Sequence, residues 1–337
     1  MVTANSKNFS LKYKKTIGFS GKRGRGFFYP RDIAIGSNKK MYVLNRSHEV
    51  DSYGEPESVR VVICDINDGF HGVAGHFGEA DGQFIWPTSI DLDSEGMIYV
   101  SCEYKNTITV FDPEGNFQYK WGQFGTGEGE FSGPSGIKFD KDDNLWVVDH
   151  KNNRVQQYDK FGNQKFCFGD SNLFNLPWGI NLDSQENIYV ADWGNNRILK
   201  FSTDGNLISE MTGNGILKNP SGVAIDKNGI IYVADSGNES LQVLSPEGEP
   251  VFSTRGQATM SQWGQEFLDV NPDEADPRRS SNLEYDLDIP ENSSPHTISS
   301  YIDKYFWGLT AVTVDEDSRV YALETNRHRV QIFDPIK

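Results

Sequence analysis

Residues 177–197 read PWGINLDSQENIYVADWGNNR, and this stretch decides the fold. Apolar residues alternate at Ile180 and Leu182 and again at Ile188 and Val190, a period of two that marks half-buried strands and not a helix. Both runs are rich in β-branched and aromatic residues, which pack well on a pleated surface. The acidic turn joining them, residues 226–229 (DKNG) in a sister copy, tolerates hairpin geometry. A third strand is expected over residues 197–202, a turn at Asp204 and Gly205, and a fourth strand over Leu207–Met211. Four successive antiparallel strands make one propeller blade.

The phrase recurs. Copies begin at Pro30 (PRDIAIGSNKKMYVLN), Pro87 (PTSIDLDSEGMIYVSC), Pro134 (PSGIKFDKDDNLWVVD) and Pro220 (PSGVAIDKNGIIYVAD), and a sixth is expected to begin at Trp307 (WGLTAVTVDEDSRVYALE). Pro134, Pro177 and Pro220 stand 43 residues apart, a period that suits four short strands with their turns and points to a propeller, not a solenoid. The sixth copy runs out at Asp334 and Pro335, after its third strand, while residues 9–17 read as an unassigned fourth strand with a Gly-rich exit loop. The expectation is an all-β, six-bladed β-propeller spanning residues 1–337 as one domain, with the N-terminal strand closing the last blade. Closure removes the edges that invite aggregation.

The Pro-x-Gly start, the IYVAD second strand and the following N-x-R together resemble the NHL-repeat family. The resemblance covers residues 9–337 apart from two insertions, and is nearest to consensus at residues 177–197. It implies a propeller that binds a small molecule or a protein partner at one mouth of its channel. The alternative it implies is a lyase or hydrolase of the lactonase or amidoglycolate-lyase type, acting on a small carbonyl-bearing or anionic substrate. Peptide-amidation lyases, which resemble these repeats, hold zinc on histidines near blade starts. Here those positions carry Arg31, Thr88, Ser135, Trp178 and Ser221, so a three-histidine zinc site is not expected.

The second strand ends in an acid in four copies, and an arginine stands five residues on in three of them: Asp149 with Arg154, Asp192 with Arg197, Glu324 with Arg329. A buried acid needs a partner, so these are read as pairs within a blade and as scaffold. Asp235 faces Ser240 instead and is expected to find other donors.

The start of strand one and the loop between strands two and three share one face of the disc, and that mouth is the default site. Facing it are Arg31, Asp32, Arg46, Glu103, His150, Trp178 and Trp193. Arg31, Glu103 and His150 are the candidates for electrostatic, acid and base roles, and Asp32, Arg46, Trp178 and Trp193 for ligand contact: arginine clamps an anion and indole stacks on a ring. Asp32 and Glu103 leave open an axial oxygen-ligated cation such as Ca2+. Two insertions fall on the same face, residues 46–59 and residues 257–306. The second carries a short helix over residues 259–269, with Trp263 and Phe267 on one stripe, and is read as a lid over the mouth, against the plainer reading of a surface insertion.

With 32 Lys and Arg against 48 Asp and Glu, a formal charge of −16, the surface repels phosphate backbones, and nucleic acid is not an expected partner. No stretch is long and apolar enough to cross a membrane as a helix, so no membrane partner is expected. Cys64, Cys102 and Cys167 are odd in number and widely spaced, and are expected to be free thiols in a cytoplasmic protein.

Overall fold

Each copy of the phrase folds as the inner hairpin of a four-stranded antiparallel sheet, and there are six such sheets. The computed structural model describes residues 9–48, 55–282, 289–290 and 292–336. Blades 1 to 5 open with strands Pro30–Ile35, Pro87–Leu92, Pro134–Phe139, Ile180–Leu182 and Pro220–Ile225; blade 6 opens with Leu309–Val314. These first strands are innermost and pack against one another around the axis. Leu309 pairs with Glu324 as Pro220 pairs with Asp235, so Leu309, and not Trp307, takes the place of the proline.

The ring closes as the alternation requires. Strand Ser10–Ile17 pairs antiparallel with Arg329–Ile336, from Ser10 opposite Ile336 to Ile17 opposite Val330. The core lies between blades. Ile17, Val330 and Ile332 of blade 6 share one cluster with Ile33, Met41 and Val43 of blade 1. The aromatic of each second strand is buried in all six blades: Tyr42, Tyr99, Trp146, Tyr189, Tyr232 and Tyr321. Such rings each remove on the order of 150–250 Å² from water.

The intrablade pairs form as expected: Asp149 with Arg154 Nε at 2.8 Å, Asp192 with Arg197 Nε at 2.8 Å, Glu324 with Arg329 Nε at 2.7 Å. Asp235 accepts instead from the Lys218 amide at 2.7 Å and from Asn238 Nδ2 at 2.7 Å. Just before the arginine position the chain turns left-handed, and the side chain there clips the next blade. Asn106, Asn153 and Asn196 each accept, at 2.8 Å, the backbone N–H of Gly133, Leu176 and Asn219 respectively. Glu239 does this for Gly308 at 2.8 Å, and His328 Nδ1 for Tyr29 at 3.0 Å. Asparagine tolerates positive φ and carries a short acceptor, which explains its recurrence.

The insertion after blade 5 carries helices α1 (Gln262–Val270), α2 (Pro272–Ser280) and α3 (Pro295–Tyr301). Helix α1 does not lie over the mouth. Its Trp263 is fully buried at the rim between blades 6 and 1, packs on Phe27 and donates Nε1–H to the Asp68 carbonyl at 2.7 Å. Phe267 is half exposed against Phe19. Arg255, Arg327 and Arg329 tie the insertion down by donating to carbonyls of Pro295, Ser299 and Asp303. Of the blade 1 insertion, residues 49–54 lie outside the described residues. Cys64, Cys102 and Cys167 are free thiols, the last exposed. Among the described residues no helix is long and apolar enough to cross a membrane.

Candidate functional site

The residue after each phrase start, Pro30, Pro87, Pro134, Pro177, Pro220 or Leu309, forms a ring of equivalent positions at the mouth end of the blades: Arg31, Thr88, Ser135, Trp178, Ser221 and Thr310. Four carry hydroxyls, and each hydroxyl donates to a carbonyl of the next blade: Thr88 to Pro134 at 2.8 Å, Ser135 to Trp178 at 3.0 Å, Ser221 to Thr310 at 2.8 Å, Thr310 to Arg31 at 3.4 Å. The ring of links is broken at Arg31 and at Trp178. These belong to blades 1 and 4, which face each other across a six-bladed ring. Below this level the channel narrows to a cavity of about 60 Å³.

Above it lies a pocket of about 490 Å³ walled by Arg31, Trp178, Trp193, His150, Ser221, Ser236, Glu239, Thr310, Thr325 and Asn326. The Arg31 guanidinium donates to no protein acceptor among the described residues. Loss of solvent and then the nearby Arg46 cation draw its pKa down to about 10, with Glu103 and Asp32 opposing. His150 repeats a scaffold link: its Nδ1 lies 3.2 Å from the Pro177 carbonyl, as Ser236 lies 2.6 Å from that of Leu309 and Thr325 2.7 Å from that of Pro30. A carbonyl only accepts, so Nδ1 facing Pro177 carries the proton of neutral His150 and Nε2 is its lone-pair nitrogen. Burial lowers the His150 pKa, which keeps the ring neutral. The ring meets Trp178 edge to face at 4.8 Å, and Trp193 stands 38% exposed at the lip.

Four of the seven expected residues therefore meet in one pocket: Arg31, His150, Trp178 and Trp193. The other three are occupied elsewhere. Asp32 accepts from the amides of Ile33 at 2.8 Å and Ile90 at 3.0 Å and from the Ser89 hydroxyl, so it fastens blade 1 to blade 2; burial raises its pKa to about 6. Glu103 sits between Arg46 at 3.2 Å and Lys151 at 3.1 Å, and Arg46 lies over the Trp86 ring. Burial works against the Glu103 anion, but Arg46 and Lys151 outweigh it and hold its pKa below the usual range, which does not suit an acid or base near neutrality. Asp32 and Glu103 thus do not combine as ligands of an axial cation, and no three His, Cys, Asp or Glu among the described residues converge on a metal position.

Sequence reading missed Glu239. It is buried, accepts from the amides of Gly308 and Leu309 at 2.8 and 3.1 Å, and holds His296 Nδ1 at 2.5 Å, while His296 Nε2 accepts from Trp307 Nε1 at 3.0 Å. Through this chain α3 reaches the margin of the pocket. The signal was an acid in GNES where the sister copies carry asparagine in KNNR and GNNR.

Residues 174–201 and 217–244 match the model of the NHL repeat, and residues 89–166 match a family model described as a 6-bladed beta-propeller. This chain is a six-bladed β-propeller carrying NHL repeats. Among solved structures, the propeller is similar to a streptogramin B lyase, with 15% identity over 99% of this chain and 100% of that one and a TM-score of 0.56. It is similar to a catalytically inactive virginiamycin B lyase from Staphylococcus aureus with quinupristin, at 12% identity over 97% of this chain and 89% of that one, TM-score 0.56. A Bacteroides thetaiotaomicron protein of unknown function shares 15% identity over 98% of this chain and 77% of that one, TM-score 0.60. At these identities the likeness of the propeller to these structures is one of fold. None of the curated proteins matches the sequence.

Proposed function

We propose that this NHL propeller binds a small anionic molecule bearing a flat ring at its channel mouth. The observation that carries the reading is the Arg31 guanidinium. It stands in a walled pocket with no acceptor among the described residues, at a ring position where four sister residues carry hydroxyls, and with Trp178 on the opposite blade. A partly desolvated guanidinium is satisfied by a carboxylate or phosphate, and indole faces take an aromatic or sugar ring. The test is calorimetric titration with benzoate and phenyl phosphate against the neutral benzamide, using wild type, Arg31→Ala and Trp178→Ala. Binding of the anions alone, lost in both variants, supports the reading; equal binding of benzamide, or binding indifferent to Arg31, overturns it.

A second reading rests on the Nε2 lone pair of neutral His150. In it, His150 takes a proton from a bound substrate while Arg31 balances the negative charge that develops, as an elimination would require. The fold likeness to proteins named as lyases accords with this chemistry. Turnover would then fall as pH drops through the lowered pKa of His150 and vanish in His150→Gln; turnover that survives this substitution removes it.

A further inference from the structure

A groove of about 290 Å³ separates the insertion from the rim of blade 6. One wall is apolar, made by Phe19, Phe267 and Leu268. The other is cationic, made by Arg278 of α2 and Arg327 around Asp303. The neighbouring Arg329 is already matched by buried Glu324, its Nε 2.7 Å from Oε1. Among the described residues Asp303 answers the other two, Oδ1 at 3.2 Å from Arg327 Nη1 and Oδ2 at 3.3 Å from Arg278 Nη2, and it also lies 3.8 Å from Arg329 Nη1. Among the described residues two carboxylates, Asp303 and Glu324, stand against the three guanidinium groups of Arg278, Arg327 and Arg329, which leaves one positive charge in excess, in a chain whose net charge is −16.

The donors also remain in excess. Arg327 spends Nη2 on the carbonyls of Ser299 and Ser300 in α3 and of Ile302 just after it, but its buried Nε has no acceptor among the described residues. Nε and Nη1 of Arg278 make no hydrogen bond to any described residue, and its side chain is 35% exposed and so accessible from the groove. Arg327 is held over the Trp307 ring at 5.5 Å, which fixes the plane of its fork.

We propose that this groove is a second binding site, for a monocarboxylate carrying an apolar chain or ring. The carboxylate lies on the unused edge of the Arg278 fork beside Arg327, and the apolar part lies on Phe267, Leu268 and Phe19. Asp303 shows that the cluster accepts a carboxylate, and a single excess charge matches a monoanion and not a doubly charged phosphate. Burial and the adjacent Arg329 both disfavour the Arg327 cation, a penalty that an incoming anion relieves.

The test is an NMR titration of the full chain with hexanoate, performed in the Arg31→Ala background so that the channel mouth does not contribute. Saturable hexanoate binding is expected there, weakened at least about tenfold by adding Arg278→Ala or Phe267→Ala, because a charge-assisted hydrogen bond or a ring contact is lost. Both side chains are at the surface, so folding is expected to survive, and circular dichroism checks it. Hexanamide should bind at least about tenfold more weakly. The proposal is overturned if hexanoate does not saturate, if neither second substitution weakens it, if hexanamide binds equally, or if inorganic phosphate binds more tightly than hexanoate.

Discussion

The imidazole of His328 in blade 6 accepts the backbone N–H of Tyr29 in blade 1 through Nδ1 at 3.0 Å, directly across the seam of the ring. An accepting Nδ1 is unprotonated, and burial has lowered the pKa of this ring from 6.5 to about 4. Between these two values the unfolded chain binds a proton that the folded chain refuses. The stabilisation is therefore complete above about pH 6.5 and is lost as pH falls towards 4, by on the order of 2–3 kcal/mol. Asparagine does the same job in three other blades, so His328→Asn should keep the clip and flatten this dependence. Urea midpoints at pH 5 and pH 7.5 measure it: the gap between them should narrow in the variant.

Arg31 breaks a ring of hydroxyl links, and its guanidinium loses solvent without gaining an acceptor among the described residues. Arg31→Thr should restore a link from blade 1 to blade 2 and raise stability by about 1 kcal/mol, while abolishing the binding of aromatic anions at the mouth. Thermal unfolding and calorimetry on the same preparation would show the opposed changes; a destabilised variant would contradict this account.

Arg154 fastens more than its aspartate. It donates to Asp149 at 2.8 Å and to the carbonyls of Thr126, Gly127 and Glu130 at 2.9–3.0 Å. After Arg154→Ala, Asp149 would keep the Ser132 amide, Asn152 and Gln156, much as Asp235 manages without an arginine. The expected cost is about 2–3 kcal/mol, below that of a wholly stranded buried carboxylate, as read from denaturant unfolding.

Trp263→Ala should cost about 3–5 kcal/mol or release α1 from the rim, because a fully buried indole leaves a large void. Binding at the channel mouth should be unchanged, since no described residue of α1 lines that pocket. Loss of mouth binding in a variant that still folds would restore the reading of the insertion as a lid.

The blades were legible because the Pro-x-Gly and IYVAD phrases carry strand periodicity, a turn and a spacing all at once. The sixth start was displaced by two residues, because Trp307 and Gly308 mimic the phrase where an insertion rejoins the blade. Arg31, His150, Trp178 and Trp193 were legible as neighbours at one mouth because the repeat assigns each a place on the same face of the disc. Asp32 and Glu103 were misread because their partners, Ile90 with Ser89 and Lys151, belong to the adjacent blade, and a repeat read along the chain displays only contacts within one copy. Helix α1 was legible as a stripe through Trp263, but a stripe does not name the groove that it fills.

The seam also orders events in time. Lys14 and Asp334, joined at 3.1 Å, stand 320 residues apart. At ordinary rates of synthesis the first strand waits roughly 16–64 s for its partner to leave the ribosome. Through that interval its apolar residues Leu11 and Ile17 have no native neighbour strand and are open to non-native contacts until Arg329–Ile336 is made.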